Sequence, residues 1–216
     1  MKFWAIDSPV MRVLGRLGDI IILNMIFVVG CIPVITIGTS LSALYAVAMK
    51  MARGEDPSVW KEFWKAYKRN FRPATICWLV MAVIAILLFV DFRIIGVLKR
   101  GSESMYSIMR IVLAVILGMW MLMFQYLFPY IARFENTVKQ TLKNAFLLMI
   151  RHLPWALLLL VILIASALSI YIIPVLLVVI PAVTSMVFDF ILERLFRRYM
   201  SPEDLEREEE NDMYAS

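Results

Sequence analysis

"GCIPVITIGTSLSALY", residues Gly30 to Tyr45, lies inside an apolar tract that starts near Leu17 and continues to Met51. As one helix, those 35 residues would measure about 52 Å at ~1.5 Å per residue. The hydrocarbon core of a bilayer is only ~30 Å thick, so a single straight span would need a large tilt. Pro33 lacks a backbone donor and pushes Ile32 away from helical angles. Gly38 permits a turn, and Thr39 or Ser40 can cap a new helix. The stretch therefore reads as the bend between two helices. The alternative is a proline kink within one span.

Composition sets the class. The chain has 216 residues, 62% hydrophobic and 18% charged, against about 45–50% apolar in an ordinary soluble domain. Pro73–Val90 and Ile111–Ala132 carry no charge, nor do the 36 residues from Leu153 to Phe188. About 20 apolar residues suffice to cross a bilayer. An all-α, polytopic bundle of transmembrane helices follows, and the absence of polar–apolar alternation argues against a β-barrel. The first tract lacks a cleavage-site pattern and is read as a span, not a removable signal. Cys31 and Cys77 lie in apolar runs and read as small core residues.

Leu153–Phe188 would be about 54 Å long as one helix, and Pro174 is its natural break. Six spans result, at about 17–34, 36–52, 73–92, 110–132, 154–172 and 174–192. With the N-terminus inside, 18 of the 22 Lys and Arg fall on inner segments. The outer side keeps Arg93, Lys99, Arg100 and Arg110. That skew follows the positive-inside rule and puts both termini in the cytoplasm. Five spans would displace only the three basic residues of the N-terminal segment. Residues 1–200 form one transmembrane domain, and 201–216 an acidic cytoplasmic tail with seven acids and one arginine between Glu203 and Asp212.

Two cytoplasmic amphipathic helices are expected. In "GEDPSVWKEFWKAYKRNFRP", Asp56 caps and Pro57 takes the first helical position. Val59, Phe63, Tyr67 and Phe71 then recur every fourth residue, with Trp60 and Trp64 beside them. This aromatic and basic face suits the inner headgroup region; docking of a protein partner is the other reading. In "ENTVKQTLKNAFLLMIRHLP", Asn136 caps and Val138, Leu142, Ala145 and Met149 form a stripe. A proline opens the span after each helix, Pro73 and Pro154. "ARGE" (Ala52–Glu55) and "ARFE" (Ala132–Glu135) recur at equivalent points, which raises a parallel repeat of span, surface helix and span.

Residues for chemistry are sparse. The sole histidine, His152, stands beside Arg151 at a membrane edge, without a neighbouring nucleophile. No metal-ligand spacing or phosphate-binding glycine loop occurs, so no metal or other cofactor is expected. Asp19 and Asp189 lie near the inner boundary, where Arg16, Arg194 or helix ends can satisfy them. Asn24 and Gln125 can bond neighbouring helices. Net charge +5 reflects a basic inner membrane surface and calls for no nucleic acid.

"CIPVITIGTSLSALYAVAMKMARGED", "VWKEFWKAYKRNF" and "RFENTVKQTLKNAFLLMIRHLP" resemble the YesL-like family of bacterial integral membrane proteins, over about Trp4 to Tyr199. The resemblance implies an accessory subunit of a carbohydrate ABC importer in the bacterial cytoplasmic membrane, without enzymatic activity. Its partners would be the permease subunits, with the solute-binding protein and the ATPase subunit as further contacts. The motif positions are Pro33, Thr36, Gly38, Arg53, Gly54, Glu55, Arg133, Phe134, Asn136, Asn144 and Pro154. Contact positions on the amphipathic helices are Trp60, Phe63, Trp64, Tyr67, Leu142 and Met149. Glu135–Pro154 is also similar to the coupling helix of importer permeases in its initial acid and its Leu153-Pro154 end. It lacks the Ala-Ala pair, and Asn144-Ala145 stands where Gly-Ala is expected, which weighs against direct ATPase engagement. A stand-alone transporter with its own substrate path is the rival reading.

Overall fold

The computed structural model describes residues 9–97 and 103–199. The acidic tail and the outer residues Lys99 and Arg100 lie outside the described residues. Seven α-helices appear among them: α1 (Pro9–Cys31), α2 (Ile37–Ala52), α3 (Val59–Val97), α4 (Glu103–Arg133), α5 (Val138–Arg151), α6 (Leu153–Ile172) and α7 (Ile180–Phe196). Five of them, α1, α2, α3, α4 and α6, are long and apolar enough to cross a membrane.

The opening stretch is a bend. α1 stops at Cys31, Val34–Thr36 makes one 3-10 turn, and α2 begins at Ile37. The expected roles of three residues change. Thr36, not Thr39 or Ser40, precedes α2, and its hydroxyl donates a forked bond to Gly30 O (2.9 Å) and Pro33 O (2.8 Å). Thr39 instead meets Thr75 of α3 at 2.9 Å, and Ser40 is buried. Gly38 lies inside α2, where a Cβ would come within 2.7 Å of the Ala74 carbonyl and 2.5 Å of Trp78 Cβ. Its service is close helix approach, as small residues provide in lipid where packing replaces the hydrophobic effect.

α3 departs furthest from expectation. Its helix starts at Val59, two residues after Pro57, and runs through Pro73 without a break. The anticipated surface helix and span are thus one rod of 39 residues, about 58 Å long. Two residues before Pro73, Thr39 Oγ1 donates to the Phe71 carbonyl at 3.4 Å and ties α2 to α3 there. The aromatic face does not lie on headgroups as a whole. Phe63 is fully buried against Leu23, Ala43 and Val47 of α1 and α2, while Trp60 stays 60% exposed.

α5 and α6 remain separate, parted at His152. Thr137 caps α5 in place of Asn136, accepting from Gln140 N while Gln140 Oε1 receives the Thr137 amide. Its buried stripe is Thr141, Ala145, Leu148 and Met149, with Leu142 at the margin. A helix that merges with its span on one side and breaks before it on the other gives the two supposed repeats different paths.

Pro174 marks the last break, but α7 does not begin there. Pro174–Val178 is 3-10, and α7 starts at Ile180 with Pro181 in its first turn, where proline's missing donor costs nothing. α7 has 17 residues, about 25 Å. Its start lies beside Asn24, seven residues, or about 10 Å, short of the end of α1. α2 is the most enclosed of the candidate spans, surrounded by α1, α3, α4 and α7. The main core joins Tyr45, Met81, Tyr126, Phe128, Phe188 and Phe196.

Candidate functional site

Polar and charged side chains gather at one end of the bundle, because successive helices pack antiparallel. Lys50 of α2 meets Glu62 of α3 at 2.8 Å, Arg69 of α3 meets Glu135 at 3.6 Å, and Arg133 of α4 meets Glu193 of α7 at 3.0 Å. His152 Nε2 lies 3.1 Å from the Tyr199 hydroxyl. Asp19 of α1 feels the charge of Asp56 at this same end.

The turn that delivers Arg53 is set by its neighbours. Gly54 has φ +84°, a left-handed conformation that only glycine adopts cheaply. Its amide donates to Met51 O, and the Glu55 amide donates to Lys50 O, both at 3.1 Å. This paired closure of a helix C-terminus is the Schellman arrangement. It holds Arg53 at the helix end, where Glu55 meets its Nε at 3.2 Å. The similar "ARFE" has no such turn: Phe134 simply extends the helical bonding to Tyr130 O. Yet both arginines reach one cavity.

That cavity, about 210 Å³, is lined by Lys50, Arg53, Glu62, Lys65, Arg69 and Arg133, with apolar residues of α2 behind them. Five cations and one carboxylate face it. Glu193 receives both Arg133 and, at 3.0 Å, Arg197. Arg133's side chain is only 9% exposed, so the pairing offsets a desolvation penalty that an isolated guanidinium would carry in full. Arg194, expected near Asp189, lies instead over the Phe190 ring at 5.0 Å. Asp19 makes no ion pair with Arg16 among the described residues.

A second cavity of about 420 Å³ shares Arg69 and adds Asn70, Phe134, Glu135, Asn136 and Thr141. Tyr130 organises its wall: its hydroxyl accepts from Asn136 Nδ2 (2.9 Å) and Asn144 Nδ2 (2.8 Å), and its ring stacks on Phe134 at 4.6 Å. Asn136 therefore braces the loop and does not cap α5. The motif residues Arg53, Glu55, Arg133, Phe134, Asn136 and Asn144 thus converge at this end, joined by Gly54 through its turn and Pro154 in the first turn of α6. Pro33, Thr36 and Gly38 serve the bend between α1 and α2 and line neither cavity. Sequence reading missed Lys65, Arg69 and Asn70 as members. Their signal was their place three, seven and eight residues after Glu62, on one helix face, which a surface helix would also show.

His152 sits outside both cavities. Burial, then the charges of Arg151 and Arg198, hold its pKa below the ordinary 6.5. Among the described residues, no three His, Cys, Asp or Glu side chains are grouped to hold a metal ion.

The fold and this charged end define a multi-pass α-helical membrane protein. Over residues 20–92, which run from α1 through most of α3, the chain matches a family described as "Protein of unknown function, DUF624". No curated protein and no solved structure matches.

Proposed function

We propose that this chain is an accessory integral membrane subunit of a carbohydrate ABC importer, seated beside the permease subunits in the bacterial cytoplasmic membrane. Its charged end faces the cytoplasm, as its basic residues favour, and it supports assembly or transport without chemistry of its own. The carbohydrate context rests on the resemblance of the "TIG", "ARGE" and "RFENT" segments to YesL-like proteins.

One observation carries the accessory reading: several polar side chains inside the bundle hold helices together. Asn24 bonds the start of α7, Thr39 meets Thr75, Gln125 Nε2 donates to Ala156 O at 3.1 Å, and Ser166 meets Thr184 at 2.8 Å. A substrate route for a sugar needs such groups facing a passage. Meanwhile α6 exposes Leu157, Val161, Ile164 and Leu168, together with small Ala165 and Ala167, and Gly118 of α4 has open space beyond its Cα. Small residues facing outward let a second helix come close. At the far end, Asp91, Ile108, Met109 and Val112 border an apolar recess between α3 and α4, a further surface for the permease or the solute-binding protein.

The interrupted path before α7 favours the rival, a stand-alone transporter, since broken helices at mid-depth build many transport sites. Here Asn24 occupies the freed amide that a substrate would use. Affinity isolation from native membranes in mild detergent should recover permease subunits. Their absence, together with sugar uptake by liposomes holding this chain alone, would replace the proposal with the rival.

A further inference from the structure

We infer that the two cavities sharing Arg69 at the charged end together form a binding site for a phosphodiester headgroup bearing hydroxyls. Lys50, Arg53, Lys65, Arg69 and Arg133 face the first cavity, against Glu62 alone. Of the other carboxylates that hold these cations, Glu55 and Glu193 stand in neither wall, and Glu135 lines only the second cavity. Glu55 and Glu193 hold Arg53 and Arg133 from outside and leave the interior of the first cavity positive. Lys65 has no carboxylate within ion-pairing distance among the described residues. A phosphate supplies what such a ring lacks, and arginine's fork matches its oxygens two at a time.

The second cavity explains the rest of the ligand. Asn70 is 3% exposed, and its Nδ2 has no hydrogen-bond partner, although its Oδ1 accepts from Arg69 Nε at 3.4 Å. A buried amide left unbonded carries its desolvation penalty uncompensated, so a ligand acceptor there offsets it. Thr137 and Thr141 add hydroxyls to the same wall. This set suits the hydroxyls of a glycerol or similar polyol attached to the phosphate.

The level in the bilayer favours a lipid as the source. Pro73 borders the second cavity, and between it and Asp91 every exposed residue of α3 is apolar, beginning with Ile76, Leu79 and Val80. A headgroup bound at Arg69 would therefore leave its acyl chains beside hydrocarbon-facing surface. A soluble phosphate ester shares the phosphate chemistry without using that surface.

The test uses the full chain in phosphatidylcholine nanodiscs. Phosphatidylglycerol is titrated in, and bound lipid is read by native mass spectrometry. Replacing Lys65 and Arg69 by glutamine should weaken phosphatidylglycerol retention by about tenfold or more. Replacing Lys61 and Lys68, on the same helix outside both cavities, should change it by less than about twofold. Asn70→Ala should weaken phosphatidylglycerol but not inorganic phosphate. Displacement of the lipid by millimolar inorganic phosphate would identify a soluble ester as the source; resistance to it would identify the lipid. Equal weakening by the Lys61/Lys68 pair would mean diffuse surface charge and overturn the site, as would absence of binding in both arms. Lys65→Gln alone, an exposed change without a broken ion pair, keeps the test valid if the double variant misfolds.

Discussion

The side-chain oxygen of Asn24, in α1, accepts a hydrogen bond at 3.0 Å from the backbone amide of Ala182, in the first turn of α7. The same side chain donates to Val179 O at 3.3 Å and to Ile20 O at 2.9 Å. A helix starting in the apolar interior leaves amides that water cannot reach, and Asn24 satisfies one of them from another helix. Asn24→Leu should lower stability by about 1–2 kcal/mol, measured as the shift of an unfolding midpoint in mixed detergent. An unchanged midpoint would show that α7 starts without this support.

Gly38 and Gly118 should behave oppositely. An alanine at Gly38 must displace the Ala74 backbone carbonyl and Trp78 Cβ, an overpacking cost of about 1–3 kcal/mol. At Gly118 the added methyl meets nothing within 4 Å. There alanine should be neutral, or stabilising by up to about 1 kcal/mol through helix propensity. Thermal melts of the two variants in one detergent give the comparison.

Phe63 and Trp60 separate core from membrane anchoring. Truncating fully buried Phe63 to alanine should cost about 3–5 kcal/mol, while Trp60→Ala, at 60% exposure, should leave stability nearly intact. If stability instead follows Trp60, the aromatic face works chiefly as an anchor.

His152 gives a clean titration because it is the sole histidine. Its folded-state pKa is lowered by burial and by Arg151 and Arg198, so the unfolded chain takes up the proton first. The neutral ring's contribution is therefore complete above about pH 6.5 and declines as pH falls through the folded value. Ring-proton NMR should report a pKa below 6.5, and Arg151→Gln should raise it. A value above 6.5 would contradict the arrangement around Tyr199.

How far the fold was legible depended on which physical signal each segment carried. Pro33 and Pro174 stood in tracts too long for one bilayer crossing, so length and a missing donor together marked the breaks. Pro73 carried the same local mark, yet α3 runs through it. There α2 packs closely on α3, with Gly38 against Ala74 and Thr39 bonded to Phe71 O. Asp56, Asn136, Thr39 and Ser40 were each plausible caps by residue type. Asn136 and Thr39 bond Tyr130 and Thr75 instead, and Thr137, paired with Gln140, caps α5.

For the charged end, sequence alone supplied the inventory: basic residues concentrated on one side, "ARGE" and "ARFE" at helix ends, aromatic spacing along one face. Those follow from the solvation cost of charge in hydrocarbon, which any span must respect whatever its neighbours. The meeting of Arg53, Arg69 and Arg133 at one cavity was decided only by tertiary structure. So were the burial of Phe63 and the pairing of Asn24 with Ala182. Each depends on how far one helix slides and turns against another, and periodicity within a single helix holds no information about that.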